Sequence, residues 1–426
     1  LIKIDNGADK IINILQSQGY EAYIVGGCVR DSLLNKQPKD WDICTNALPK
    51  EILDVFKEYR TISTGLKHGT ITIILDNKNY EVTTYRIDGK YSDNRRPDKV
   101  KFTSNIIEDL GRRDFTINAM AYNQQEGLID PFDGLNDLQN KIIKAVGSPD
   151  DRFKEDALRM MRAIRFACQL DLLLDKNTDE AIVKNKKLIN NISKERINDE
   201  LSKILISQYP SRGIKLLRDT GLLNEILPEV ERMVKFDQLN PNHFKDVFEH
   251  TMIVLDEVPN NLVLRLSALL HDVGKPITFS IGNNGVGHFY KHHIEGEILT
   301  KKILKRLKFD NETIEKVCIL VREHMNKYDF LKTSSIKKFI SRVGIENLNN
   351  LFELQIADIK GSKPPHDFSK ILNLRKQVEK ILNEKHPLTI RDLDINGYDL
   401  MGIGIKPGRK MGEILNNLQR NLAESP

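Results

Sequence analysis

Residues 21–42 read EAYIVGGCVRDSLLNKQPKDWD. Apolar and aromatic residues from Glu21 to Val25 predict a short strand that ends at Gly26-Gly27. Val29–Leu34 reads as the start of a helix, and Trp41–Cys44 as a second strand. Side chains alternate along a strand, so Asp40 and Asp42 are expected on one face. Paired carboxylates suit a hard divalent cation such as Mg2+. Glycines at a strand-to-helix turn expose backbone N–H groups to a phosphate, and Arg30 adds a charged fork. A solvated strand end and a plain Gly-Gly turn are the simpler readings of the same residues.

Moving outward, Lys50–Tyr59 is patterned as an amphipathic helix. Thr70–Leu75 and Tyr80–Tyr85 are expected to be strands joined by a turn at Asp76–Lys78. Glu81 on the second of these is either a third metal ligand or an exposed strand residue. Arg86–Lys101 is polar, basic and Gly/Pro-containing, and predicts a mobile loop. Arg112–Ala119 (RRDFTINA) reads as a helix start with Asp114 or Thr116 as cap, or as a nucleotide contact through Arg113. From Asp150 the periodicity becomes helical, over Asp156–Leu170 and Asn198–Ser207. Within it, Glu155-Asp156 precedes Arg159, Arg162 and Arg165, spaced by three and broadly on one helix face. An Asp acceptor beside an Arg donor can read the edge of a base without a template. A solvated charged face is the alternative.

The chain has 426 residues, room for two to four domains, and 40% hydrophobic residues, enough for true cores. No apolar run approaches the roughly 20 residues of a membrane helix. Leu1–Lys10 is polar with charges of both signs, so no secretory leader is expected. Four scattered Cys without CxxC spacing exclude a disulfide or zinc framework and suit a reducing cytoplasm. A net charge of +5 permits an anionic partner without demanding one.

In order, Gly26–Asp31, Asp40-x-Asp42, Arg112–Ala119, Asp130–Gly134 (DPFDG) and Glu155–Phe166 resemble the bacterial tRNA nucleotidyltransferase and poly(A) polymerase family. This is the class II branch of the DNA polymerase β-like nucleotidyltransferases. Ser193–Arg196 (SKER) resembles the family's neck motif. The resemblance implies that Asp40 and Asp42 hold catalytic Mg2+, with Glu81 beside them. It implies that Gly26, Gly27, Arg30 and Arg113 hold the incoming nucleotide. Asp156 and Arg159 would pair with the base of CTP or ATP, and Arg162 and Arg165 would support that pocket and the triphosphate. The tRNA 3′-hydroxyl would attack the α-phosphate. The loop Arg86–Lys101 resembles that of members that add CCA or A alone to tRNA, and Gly65–Thr70 resembles the CCA-adding rather than the poly(A) type. A-only addition is the alternative.

Residues 244–382 hold most of the histidines. His250, His271-Asp272 and Asp358 follow the order of the HD family of metal-dependent phosphohydrolases, with His292, His293 and His324 available to a second metal. Imidazole with carboxylate suits a transition metal. An HD fold that only spaces the tRNA arms is the alternative, as is an HD hydrolase as the principal activity. Lys301, Lys302, Lys305 and Arg306 read as a solvated helix face or a phosphate-facing patch. In the tail, Ile395–Gly412 is similar to the family's tRNA-gripping motif, with Lys406, Arg409 and Lys410 toward phosphates.

The expected architecture is α+β: a small α/β head at 1–145, then a wholly helical neck at 146–230, an HD body at 231–375 and a tail at 376–426. The expected partners are tRNA, CTP and ATP, with no membrane and no protein partner.

Overall fold

A computed structural model describes residues 2–89, 100–239, 245–283, 285–325, 332–383 and 395–424. The chain divides into two compact units, Leu1–Ile226 and Leu227–Pro426. It is an α+β protein, with its large sheet in the first unit and helices thereafter.

The first unit opens with α1 (Asn6–Ser17), β1 (Ala22–Val25), α2 (Gly27–Leu33), β2 (Asp42–Thr45), α3 (Pro49–Val55), β3 (Arg60–Ile62), β4 (Thr70–Leu75) and β5 (Lys78–Thr84). A short hairpin follows, β6 (Arg86–Asp88) with β7 (Val100–Phe102), and then α4 (Ile106–Gly111). Two further strands, β8 (Ala121–Asn123) and β9 (Gly127–Ile129), and α5 (Gly134–Gln139) complete the head. The seven-stranded sheet runs β3-β4-β5-β2-β1-β8-β9. Among the described residues of this sheet, only the β2–β5 pair is parallel. The central β1 is buried at every position. β4 alternates, burying Ile71, Ile73 and Leu75, as expected for a sheet with one covered face. Asp76 and Asn77, both at positive φ, form the two-residue turn between β4 and β5.

The four strands expected from the sequence pattern are present as β1, β2, β4 and β5, with shifts of up to two residues, whereas β3, β8 and β9 were not foreseen. Two expectations are corrected. Asp40 lies before β2 rather than on it, because the strand begins only at Asp42. The segment Arg86–Lys101 is not a loop at its ends, where β6 and β7 pair; its middle, 90–99, lies outside the described residues.

Beyond the head come α6 (Pro149–Glu155) and α7 (Leu158–Leu170). The expected continuous helix from Asp156 is interrupted: Asp156 is extended (φ −137°, ψ 103°) and ends α6. Its carboxylate accepts the Leu158 N–H, so the side chain starts α7 instead of riding on it. Among its described residues the second unit is helical apart from a small β-hairpin, Phe279–Ile281 with Gly287–Phe289. Among the described residues no helix is long and apolar enough to cross a membrane.

Candidate active site and candidate metal centre

Parallel pairing of β2 with β5 sets Asp42 opposite Glu81. Strand partners in register present their side chains on the same face, so two carboxylates 39 positions apart in the sequence become neighbours (81 − 42). Although Asp42 is exposed on its strand, desolvation by the surrounding protein raises its carboxyl above the usual range; Arg113 opposes this, and Glu81 and Asp40 raise it further. Asp40, though off the strand, therefore belongs to the same cluster. Three carboxylates converging at the open end of a sheet repel one another, and a divalent cation relieves that repulsion.

Beside this cluster, the chain leaves β1 at Gly26 with φ 79° and ψ −126°, a conformation open to glycine. A Cβ there would stand 3.0 Å from Arg113 Nη1. The turn thus lies directly on Arg113, whose guanidinium donates to Asp109 Oδ2 at 3.4 Å. Asp109 is a residue sequence reasoning missed. It is buried and also accepts from Arg112 and from the Arg86 N–H. Burial alone would raise its carboxyl, but Arg113 and Arg112 hold it below the usual range. The signal was available only as an Asp spaced three and four before a basic pair on α4.

Arg30 is buried, donates to Asp31 and to Asn118 Oδ1 (2.6 Å), and lies 5.0 Å over the Phe166 ring. Arg162 and Arg165 flank the same ring at 5.4 and 4.3 Å. Cations favour the face of an aromatic ring, so Phe166 gathers three guanidiniums from two helices. Arg162 donates twice to Asp114 Oδ2, at 2.8 and 2.6 Å. Burial works against the Asp114 charge, but Arg162 and Arg159 hold its carboxyl well below the usual range. Asp114 is accordingly not a helix cap. The segment after it forms a 3-10 turn, Thr116–Asn118.

The three arginines of α7 take different partners. Arg159 pairs with Glu155 and donates to the Arg112 carbonyl; Arg162 turns to Asp114; Arg165 lies 3.1 Å from buried Glu200. Asp156 is gripped by both terminal nitrogens of Arg196, at 3.3 and 2.7 Å. The Ser193–Arg196 motif therefore braces the acceptor at the helix break.

In the second unit, four histidine rings from four helices meet around Asp272. His250 lies on the helix Val247–Glu257, His271 caps Leu262–Leu270, His292 opens His292–Arg306 and His324 caps Asn311–Glu323. Each Nδ1–H donates to a backbone carbonyl: Gly361 at 3.1 Å, Ala268 at 2.7 Å, Phe289 at 2.8 Å and Val321 at 2.6 Å. In the neutral rings that places the proton on Nδ1 and turns Nε2 inward as the lone-pair nitrogen. Asp358 Oδ1 stands 3.0 Å from His250 Nε2 and 3.8 Å from His271 Nε2. The four residues expected from the HD order, His250, His271, Asp272 and Asp358, are thus brought together. Of the adjacent pair, His292 is buried and turned in, whereas His293 is only half-buried. Burial, helped by His271 and His292, pushes His324 down to about 3. Lys275 was not foreseen; its Nζ lies 2.7 Å from Asp272 Oδ2 and donates to Gln238 at 2.8 Å.

Elsewhere, Lys406, Arg409 and Lys410 are all exposed, and Arg409 pairs with Glu413 at 3.0 Å. On the basic helix, Arg306 forms a twofold pair with Glu229 while Lys301, Lys302 and Lys305 are exposed.

Residues 22–144 match the poly A polymerase head domain, 171–233 the probable RNA and SrmB-binding site of polymerase A, and 242–358 the HD domain. The CCA-adding enzyme of Lactobacillus johnsonii is 35% identical over 432 aligned positions, covering 100% of this chain and 94% of that protein. The chain belongs to the CCA-adding enzyme family. The family's member from Ligilactobacillus salivarius is likewise 35% identical, over 97% of this chain and 90% of its own length. The crystal structure of the Bacillus stearothermophilus CCA-adding enzyme in complex with CTP aligns with a TM-score of 0.72 at 28% identity, covering 98% of this chain and 92% of that one. The Thermotoga maritima CCA-adding enzyme complexed with tRNA shares the fold, with a TM-score of 0.57 at 20% identity over 99% of this chain and 93% of that one. Membership along the whole length of a CCA-adding enzyme disfavours both the A-only reading and the hydrolase as principal activity.

Proposed function

We propose that this chain adds C, C and A to the 3′ end of tRNA from CTP and ATP, without a nucleic-acid template. The observation that carries the reading is the Asp40–Asp42–Glu81 cluster beside the Gly26–Gly27 turn and Arg113. A divalent cation, which we take to be Mg2+, fits a cluster made wholly of oxygen donors. When bound there it supplies charge neutralisation at the α-phosphate and the leaving pyrophosphate. Asp40 and Asp42 hold the reacting end, with Glu81 as the third carboxylate. Gly26 and Gly27 let the backbone approach the triphosphate, and Arg30 and Arg113 oppose its charge. Asp156 and Arg159 face the base edge, with Arg196 and Glu155 keeping acceptor and donor in place. Arg162 and Arg165, collected on Phe166, support the pocket. Lys406, Arg409 and Lys410 meet tRNA phosphates.

We keep the finer partition of the chain at 145/146, 230/231 and 375/376, and a cytoplasmic location. Four buried free thiols agree with a reducing compartment. A second reading concerns the HD body alone. His250, His271, Asp272 and Asp358 carry donor atoms 3.0–3.8 Å apart, which fits one divalent transition metal and a subsidiary phosphohydrolase activity.

The test uses tRNA transcripts ending before CCA, after C and after CC, with labelled CTP or ATP and Mg2+. Extension of all three to a complete CCA end is expected. Extension of the CC-ended transcript alone would replace this reading with A-only addition.

A further inference from the structure

A cavity of about 590 Å³ opens in the head beside the start of β2. Its wall comes from two stretches, the residues before α1 and the segment that joins α2 to β2. The volume lies within the roughly 300–1,000 Å³ of small-molecule sites. Trp41, the sole tryptophan of the chain, is half-buried on this wall and is its only aromatic residue. Lys3 and Lys36 line the same cavity; both are exposed, and neither is in an ion pair among the described residues. The one acid of the wall, Asp5, is already engaged. It accepts from Lys78 at 2.8 Å, from Tyr80 at 2.6 Å and from the Gly7 N–H at 3.0 Å. The cavity is therefore net positive. Ser32 Oγ, on a residue of the wall, is buried with no hydrogen-bond partner among the described residues.

These groups ask for three things in one ligand. An indole offers a flat face on which an aromatic base stacks. Two ammoniums draw an anion, and lysine meets phosphate as a point charge. The amides of Asn35 and Gln37 and the Ser32 hydroxyl can pair with the polar edge of a base. A base on a phosphorylated sugar carries all three complements. A metal ion does not fit, because the only carboxylate of the wall is engaged. An acyl chain does not fit a wall that holds two ammoniums and three amides.

The cavity also shares its backbone with the transfer site. Ser32 lies on α2, the helix that opens at Gly27 and carries Arg30. Trp41 stands between Asp40 and Asp42 in the chain. We propose that this cavity is a second nucleotide-binding site, with the base on Trp41 and the phosphate held by Lys3 and Lys36. The occupant is one nucleotide, either free in solution or a residue of an RNA strand. A ligand there bears on the chain next to Asp40 and Asp42 without entering the carboxylate cluster.

Trp41 reports on its own site, since no other tryptophan contributes to the fluorescence. The full chain is titrated with AMP in the absence of added metal, and saturable quenching of Trp41 is expected. Quenching should persist in Arg113→Ala, which weakens the catalytic nucleotide site. In the double variant Lys3→Glu, Lys36→Glu the apparent Kd should rise at least about tenfold, as expected for losing charged contacts to a phosphate. A parental melting temperature shows that this variant is folded. No saturable quenching overturns the proposal, as does an apparent Kd that the lysine variant leaves unchanged. Quenching lost in Arg113→Ala places AMP in the catalytic site and overturns it too. An oligoribonucleotide ending in CC, titrated into Arg113→Ala, separates the two sources. Binding tighter than that of AMP identifies an RNA strand as the occupant, and binding no tighter identifies the free nucleotide.

Discussion

The head and the HD body each gather carboxylates for a cation, but they are built in opposite ways. The head's cluster sits where β2 begins, with Asp40 and Asp42 exposed and Glu81 exposed beside them. Its donors are all oxygen. The HD cluster is enclosed by helices, its rings are held through their far nitrogens by main-chain carbonyls, and its donors are mostly imidazole. An open oxygen site suits an ion that arrives and leaves with a nucleotide. A buried imidazole site suits a resident ion. The difference teaches that two acidic motifs of similar appearance in a sequence can differ in how long they keep what they bind.

The largest expected effect tests the head. Asp42→Ala should lower CTP incorporation at least about 1000-fold in single-turnover assays, since one-carboxylate binding loses the charge stabilisation of the transition state. A loss under tenfold would mean that the cluster is not where transfer occurs. Exchange then separates the two sites directly. A brief chelator treatment followed by desalting should abolish addition until Mg2+ is restored, while metal already in the HD body should remain bound. Equal loss from both would erase the contrast drawn above.

Gly26→Ala probes the turn. The added Cβ enters a positive-φ position 3.0 Å from Arg113 Nη1. An increase of roughly tenfold in KM for CTP, with kcat changed less, is expected from displacing one charged contact. The smallest effect concerns acid stability. The Asp114 carboxyl is held below its unfolded value by Arg162 and Arg159, against its burial. Stabilisation by this group is present above the unfolded pKa and is lost as pH falls through the folded one. Asp114→Asn should therefore flatten the decline in melting temperature below about pH 4, relative to the parent. Parallel curves would show that Arg162 does not stabilise the Asp114 charge.

Four of the strands were legible because they follow local rules. β4 and β5 carry β-branched residues around a two-residue turn, and Gly26-Gly27 ends a buried strand. The adjacency of Asp42 and Glu81 was not legible, because it depends on which strands pair and in what register. The helix break at Asp156 was hidden for a related reason: apolar spacing continues through it, while the side chain's bond to the Leu158 N–H competes with the helix. In the HD body the order of motif residues named four side chains that the structure brings together. Choosing His292 over His293 required knowing which way the helix faces, and Lys275 acquires meaning only beside Asp272.

The four carbonyls that orient the histidine rings belong to Ala268, Phe289, Val321 and Gly361. Three of these residues can drift in identity without altering the acceptor they provide, so the outer layer of the HD cluster presents almost no mutational target. Gly361 is the exception. A Cβ there would stand 2.8 Å from His250 Cε1 and Nδ1, so any side chain would push the ring off its carbonyl. Decay of this centre by drift would therefore begin either at the ligands themselves or at one glycine on the helix that carries Asp358.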